Sequence, residues 1–243
     1  MLVHHRNRCA VALALIALAA LPGRAAGQTL FGPTPYLSTA DIPVGFYQGG
    51  SPTFLDNLED GRLDGNLTGS AGSVIGPGQF NGLRDSVDGD DGSIDGSGVT
   101  GSSWFSGSGS TGVTFTFNGN TLPTAFGLVW TDGAGTITFK AFDGSGALLL
   151  AQTFSGIPDG SISGTTGEDR FFGAQSAAGI GSIFISNSSG GIEIDHIQYG
   201  DMPIAVPEPE TWALLGAGLG LLGFTARRRS RAAVPGLGSP AQP

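Results

Sequence analysis

Hydrophobic and polar residues alternate along several short stretches in the middle of the chain. In the stretch VTFTF, Val113, Phe115 and Phe117 fall on one face of an extended chain and the two threonines fall on the other. Alternation with a period of two predicts half-buried β-strands. The clearest predicted strands are 113–117, 125–130, 136–142, 147–154, 180–186 and 192–199.

Glycine-rich segments separate these strands, and two of them have the composition of hairpin turns. They are the TDGAGT loop at 131–136 and the DGSG loop at 143–146. Between 28 and 205 no twelve residues keep a helical periodicity without Gly or Pro. The pattern predicts an all-β domain, an antiparallel β-sandwich of the jelly-roll type.

The N-terminal end has a different pattern. Residues 4–8 are polar and mostly basic, an unbroken apolar run extends from Cys9 to Leu21, and small residues follow up to Gly27. This order is typical of a secretory signal peptide, so we expect a signal helix within 1–27 and cleavage before Gln28. Cys9 is the only cysteine, so no disulfide supports the mature domain at 28–205.

The C-terminal end carries a second apolar stretch, which is uncharged from Trp212 to Ala226 and is followed by arginines. As a helix it would be about 22 Å long, whereas the hydrocarbon core of a bilayer is about 30 Å thick. The prediction is a short transmembrane helix at 212–226 that spans only marginally. The arginines are expected in the cytoplasm and the domain at 28–205 on the opposite side.

The residues around this stretch form a tripartite signal at 206–231, with a tail at 232–243. Its defining residues are Pro207, Glu208, Pro209, Trp212, Arg227, Arg228 and Arg229. This arrangement resembles the PEP-CTERM sorting signals of exported bacterial proteins. The resemblance implies that an exosortase, a membrane protease-transpeptidase, processes the chain while it is briefly anchored in the inner membrane. It also implies a host that makes extracellular polysaccharide and a final place at the cell surface or in the extracellular matrix.

Charge is distributed unevenly along the chain. Residues 28–205 contain eighteen acidic residues but only four basic ones, which are Arg62, Arg84, Lys140 and Arg170. Binding to nucleic acid or to an anionic membrane surface requires a cationic face, so both are excluded as functions of this domain. The acidity fits calcium, which takes oxygen ligands, and it equally fits simple solubility.

The mature segment is also similar to the carbohydrate-binding-module-like and galactose-binding-like jelly-rolls. Four stretches carry this resemblance: FLDNLEDG at 54–61, DSVDGDDGSIDG at 85–96, GLVWTDG with ITFKAFDGSG, and IEIDHIQYG at 192–200. In such jelly-rolls a structural Ca²⁺ joins an acid near the first strand to an aspartate on the last strand. The resemblance implies Glu59 or Asp60 and Asp195 as its ligands here.

The acidic loop itself offers further candidate calcium ligands. Asp91 and Asp95, followed by Gly96, match the opening of a calcium-binding loop, but Ser102 stands where the bidentate glutamate is expected. Asp88 belongs to the same crowded group of carboxylates. A solvated Asp-Gly turn remains the alternative interpretation.

The composition favours binding over catalysis. The mature segment has a single histidine, His196, and its neighbour Asp195 should point to the opposite face of a strand, so the two are not expected to form a relay. Trp104 and Tyr199 are the candidates for stacking against sugar rings. We therefore predict a non-enzymatic, exported surface protein with polysaccharide as its ligand.

The alternative is a secreted carbohydrate-active hydrolase. Two convergent carboxylates in a cleft would favour the hydrolase, whereas a shallow aromatic-lined face would favour binding.

Overall fold

The computed structural model describes residues 27–77, 79, 83–204 and 209–232. The predicted signal peptide, apart from Gly27, lies outside these residues, as do Pro207, Glu208 and most of the tail. Ten antiparallel strands in the described part form one hydrogen-bonded sheet. They are β1 (Thr29–Pro35), β2 (Phe54–Asp56), β3 (Leu67–Gly69), β4 (Ser73–Ile75), β5 (Ser103–Ser106), β6 (Val113–Phe117), β7 (Ala125–Phe142), β8 (Leu148–Phe154), β9 (Arg170–Gln175) and β10 (Ser182–Gly200).

Two long strands organise the sheet. Strands β7 and β10 pair with each other along their whole length, and each changes its other neighbour midway. The first half of β7 pairs with β9 and its second half with β8, while β10 pairs first with β6 and then with β5 and β2. Apolar residues from both halves of the sheet meet in one core. The two halves therefore enclose the core as the layers of a sandwich do.

The length of β7 corrects one prediction. The TDGAGT loop is not a hairpin, because Gly133 and Ala134 continue the ladder with β10 opposite Ile192 and Ser189. Register shifts in β10 accompany this segment, so the chain passes through it by bulges rather than by reversing. The predicted strands 125–130 and 136–142 are thus one strand, and those at 180–186 and 192–199 are likewise joined in β10.

Other predictions are confirmed. Strand β6 has the predicted bounds, and β8 begins one residue later than expected. The DGSG loop is the hairpin between β7 and β8, where the Asp143 carboxylate accepts hydrogen bonds from the N–H groups of Ser145 and Ala147. The antiparallel β architecture is confirmed. The jelly-roll assignment stays a prediction, because all ten strands belong to one continuous sheet.

The first half of β7 is buried on both faces. Leu128 and Trp130 point into the main core, whereas Val129, between them, belongs to a second apolar cluster. The other buried members of that cluster are Tyr36, Phe46, Tyr47, Val87, Ala125 and Phe171. Segments 36–47 and 84–91 therefore cover the outer face of the sheet, which brings the acidic loop against the C-terminal half of β10.

The C-terminal helix α1 (Pro209–Ala232) lies in a separate compact unit that begins at Pro203. Proline suits the first position of a helix because its missing N–H has no helical partner there. The helix takes in Pro209, Trp212 and the arginines at 227–229, and Leu214 and Leu219 are exposed.

The helix at 212–226 is confirmed, but its transmembrane assignment is not. Among the described residues, no helix is both long enough and apolar enough to cross a membrane. The uncharged stretch is shorter than the roughly 20 apolar residues that a bilayer requires, and four glycines lower its hydropathy.

Candidate functional site

Acidic side chains of β10 hold the buried segment 84–88 in place. Glu193 and Asp195 lie two residues apart and point to the same face of the strand. The Glu193 carboxylate accepts the N–H of Asp85 at 2.5 Å, and the Asp195 carboxylate accepts the N–H of Val87 at 2.9 Å. Two side chains thus bond alternate N–H groups, as a neighbouring strand would. This side-chain ladder fixes the backbone of the acidic segment.

His196 is the centre of a second buried group. Its Nδ1 lies 2.9 Å from the hydroxyl of Tyr36, and its Nε2 lies 2.8 Å from the Asp90 carboxylate. A neutral ring that carries its proton on Nε2 satisfies both contacts. Burial lowers the pKa of His196, but the carboxylates of Asp90 and Asp195 outweigh this, so the pKa is raised overall.

The expectation that Asp195 and His196 point to opposite faces is wrong. His196 has a φ of 42°, and the register with β7 shifts between Asp195 and Gln198. This bulge turns His196 to the same side as Asp195. Ligand atoms of Asp90, Asp195 and His196 consequently lie within 4.8 Å of one another.

The acidic loop does not gather its side chains as a calcium loop would. Asp88 is fully buried, and its carboxylate accepts hydrogen bonds from the N–H groups of Asp95 and Gly96 and from the hydroxyl of Thr166. Asp95 is exposed, and Asp91 is half-buried, where it accepts the N–H of Ser93. Asp88 therefore stabilises the loop through hydrogen bonds in the interior. The carboxylates of Asp88, Asp91 and Asp95, which were predicted as ligands, do not converge.

The two first-strand candidates behave differently. Asp60 is exposed and pairs with Arg62 at 3.5 Å. Glu59 accepts the N–H of Ser102 at 2.5 Å, and partial burial raises its pKa, with the negative charge of Asp90 adding to the effect. Glu59 therefore interacts electrostatically with the histidine group, which consists of Asp90, Asp195 and His196, whereas Asp60 lies at the surface.

Two buried carboxylates have oxygens without a hydrogen-bond partner in the described part of the chain. Asp169, just before β9, is fully buried, and neither of its carboxylate oxygens has a partner. Asp85 is 1% exposed, and its Oδ1 also lacks a partner. Burial, then the charge of Asp85, raises the pKa of Asp169 to about 11. Asp169 could not be identified from the sequence, because the packing that buries it is long-range and leaves no local pattern.

A cleft opens beside these groups, with a volume of about 470 Å³. Its walls are mainly glycine and apolar residues, including Leu83, Phe105 and Ile162. Asp132 and Glu193, which face each other across the β7–β10 ladder, contribute two carboxyl groups. Burial raises the pKa of both, and that of Glu193 reaches about 8, with the charge of Asp132 adding to the effect.

The structure corrects the predicted sugar-stacking residues. Trp104 is 7% exposed, packs against Phe115 and donates its indole N–H to the carbonyl of Ala71. Tyr199 is 8% exposed and stacks on Phe54. Both rings belong to the main core, so neither offers a free face. Among the residues that the structure describes, Phe105 is the aromatic one that lines the cleft; it follows Trp104 and points to the other side of β5.

Comparison with known proteins gives one partial match to a solved structure and one family match. The enzymatically active domain of tailspike protein 4 of bacteriophage CBA120 aligns with 60% of this chain at 14% identity, with a TM-score of 0.31. The aligned part spans only 21% of that chain. No curated protein matches the sequence.

The family match covers residues 205–229, which fit the model described as the PEP-CTERM protein-sorting motif. This match includes all seven predicted signal residues. The chain therefore carries the sorting motif of exported proteins that an exosortase processes and sends to the cell surface.

Proposed function

We propose that the chain is a non-enzymatic surface protein whose β domain binds a neutral extracellular polysaccharide in the cleft beside Glu193. The observation that carries the proposal is the cleft itself, a concave space of about 470 Å³ with apolar walls and two carboxyl groups. Ligand sites are typically concave and mainly apolar, with a few placed polar groups.

The lining of the cleft offers partners for both the hydroxyl groups and the apolar C–H face of a sugar. The carboxyl groups of Asp132 and Glu193 can hydrogen-bond to hydroxyls. Leu83 and Ile162 are 46% and 63% exposed, so they offer apolar surface to the C–H face of a ring. The excess of acidic residues would repel an anionic polymer, which favours a neutral polysaccharide.

Binding of neutral polysaccharides by the full chain tests the proposal. Ile162→Asp should weaken binding at least tenfold, because it places a charge on the apolar wall. Leu148→Asp is the matched control, since Leu148 is 58% exposed on β8 and does not line the cleft. Equal binding by the two variants, or no binding by the unmodified chain, would contradict a polysaccharide site here.

A secreted hydrolase is the second candidate, and the paired carboxyls favour it. Asp132 and Glu193 lie in one cleft and have raised pKa values, as a general acid requires. If the chain is a hydrolase, incubation with the bound polysaccharide should release reducing ends. Asp132→Asn and Glu193→Gln should each abolish that release. Binding without released ends would leave the non-enzymatic role.

The sorting motif has its own test in the native host. Glu208→Ala should leave unprocessed precursor in the membrane fraction, because the Pro-Glu-Pro triplet is lost. Glu210→Ala is the control, since it removes the next glutamate along and leaves the triplet intact. Normal processing of Glu208→Ala would contradict recognition of the triplet by an exosortase.

A further inference from the structure

We propose that Asp169 and Asp85 bind a divalent cation, and that this ion is calcium, inside the β domain. The site lies where the residue before β9 approaches segment 84–88, because Arg170 is paired with Trp130, and the hydroxyl of Thr131, next to Trp130, donates to the carbonyl of Asp85. It does not use the cleft walls, and Asp169 is an acid that the sequence did not suggest. It does not depend on the polysaccharide proposal.

Asp169 provides the first observation. Its side chain is fully buried, and both carboxylate oxygens lack a hydrogen-bond partner among the described residues. Its backbone groups, by contrast, are hydrogen-bonded: the carbonyl accepts the N–H of Tyr36, and the N–H donates to the carbonyl of Thr166. A buried carboxylate without hydrogen bonds is unfavourable unless an opposite charge or a metal compensates it. Protonation relieves the charge, in line with the raised pKa of Asp169, but it leaves the oxygens without protein partners, and a bound ion would supply them.

Asp85 provides the second observation. Its N–H and carbonyl are bonded to Glu193 and Thr131, so its backbone is fixed, but its Oδ1 is buried and has no partner. A Cβ at position 98 would lie 2.6 Å from this oxygen. Gly98 is thus required for the loop to pass so close. The close packing keeps the Asp85 carboxylate in the interior.

No cationic side chain of the described part pairs with these two carboxylates. Arg62 pairs with Asp60, and His196 pairs with Asp90. Arg84 donates to the carbonyls of Val99 and Gly101, and Arg170 donates to backbone carbonyls, including that of Asp169. The largest charge effects on Asp169 come from four acidic residues, Asp85, Asp195, Glu168 and Asp88. An ion would supply the missing positive charge.

The histidine group is the competing site, because Asp90, Asp195 and His196 place ligand atoms within 4.8 Å. Their atoms already have partners, however. Both ring nitrogens of His196 are bonded, and the Asp195 oxygens accept the N–H groups of Val87 and His196. Lack of partners, rather than proximity alone, distinguishes the Asp169–Asp85 pair, and we place the ion there.

The donor set selects calcium among common cations. Both side chains offer only oxygen, whereas zinc favours nitrogen and sulfur. Two carboxylates leave several coordination positions for backbone carbonyls and water. Calcium accepts six to eight oxygens in flexible geometry, while magnesium requires a near-ideal octahedron. Extracellular calcium modules bind with dissociation constants of about 10⁻⁴ to 10⁻³ M, and we expect an affinity in that range.

Calorimetric titration and thermal melting of the full chain, stripped of metal with a chelator, test the site. Calcium at about 100 times its dissociation constant should raise the melting temperature by about 5 °C or more. Sodium chloride of matched ionic strength should not. Asp169→Asn and Asp85→Asn should each weaken calcium binding at least tenfold, whereas Asp91→Asn, which changes a loop acid outside the site, should bind as the unmodified chain does.

Two outcomes would overturn the proposal. One is the absence of calcium binding by the unmodified chain at about 10 mM, above the range of extracellular modules. The other is calcium binding that Asp169→Asn and Asp85→Asn retain and Asp90→Asn loses, which would move the ion to the histidine group.

Terbium luminescence in the unmodified chain gives a result that does not depend on variant folding. Trp130 is paired with Arg170, the residue after Asp169, across β7 and β9. Excitation of tryptophan should therefore sensitise the emission of bound terbium. Calcium should displace the terbium and abolish this emission. Emission that persists when calcium is added would contradict a shared site.

Discussion

The buried carboxylates around segment 84–88 fall into two groups that differ in how their oxygens are used. Asp88 and Asp195 accept hydrogen bonds from backbone N–H groups, and Asp90 is bonded to His196. Asp169 and Asp85 leave oxygens without partners in the described residues. Both groups are acidic and buried, so composition does not separate them. The difference indicates that the first group holds the chain in its fold and that the second is suited to bind a ligand.

The largest effect should come from removing a bonded carboxylate. Asp195→Ala should lower the free energy of unfolding by about 3 kcal/mol, because the N–H groups of Val87 and His196 lose their acceptor in the interior. Urea denaturation in excess chelator measures it without metal. Asp201→Ala, an exposed acid just after β10, is the control. A loss of unfolding free energy below about 1 kcal/mol would contradict the structural role given to the bonded carboxylates.

A smaller loss of unfolding free energy should follow from removing the Tyr36 hydroxyl that contacts the histidine group. Tyr36→Phe should cost about 1 kcal/mol, since the hydroxyl bonded to His196 is lost while the stacking on Phe171 remains. Tyr199→Phe should cost less, because the hydrogen bond between its hydroxyl and Asn66 is long and part-buried. The same denaturation experiment compares them. Equal losses of unfolding free energy in the two variants would mean that the contact of the Tyr36 hydroxyl with His196 stabilises the fold no more than the Tyr199 contact does.

The histidine group should also make stability depend on pH. The folded-state pKa of His196 is raised above its unfolded value. Its contribution is therefore fully present below a pH of about 6.5 and is lost as the pH rises through the folded-state pKa. The stability difference between the unmodified chain and Asp90→Asn should be larger at pH 5.5 than at pH 8.5. A difference that does not change with pH would show that His196 stays neutral throughout.

The smallest effect is expected at Asp169. In metal-free protein, Asp169→Asn should leave stability within about 1 kcal/mol of the unmodified chain or increase it, because it replaces a group whose oxygens lack partners and whose charged form is repelled by its neighbours. Asp195→Asn under the same conditions should be destabilising. A large loss from Asp169→Asn without metal would mean that its oxygens contribute hydrogen bonds to the fold.

The sequence predicts those features that depend on local patterns. Alternation located β6 and β8, and the turn composition of DGSG located the hairpin between β7 and β8, because each signal lies within a few residues. The same logic failed at 132–136, where glycines accompany bulges whose existence depends on the pairing of β7 with β10. A turn and a bulge have similar composition, and only the partner strand distinguishes them.

The site was harder to predict for the same reason. Asp195 was expected to be important and is fully buried, but His196 was assigned to the wrong face because the bulge between Asp195 and Gln198 is invisible in the sequence. Asp169 has no local motif. Trp104 and Tyr199 were expected at the surface, yet tertiary packing places them in the core.

The side-chain ladder between β10 and segment 84–88 has a consequence for how the exported chain reaches its native state. The acceptors Glu193 and Asp195 each lie 108 residues after the N–H groups that they bind. Contacts of such long range give a high contact order, which slows folding. The N–H groups of Asp85 and Val87 lack these acceptors until the last strand has crossed the membrane. Folding can be completed only after nearly the whole β domain has been translocated, when the next part of the chain to emerge is the sorting motif.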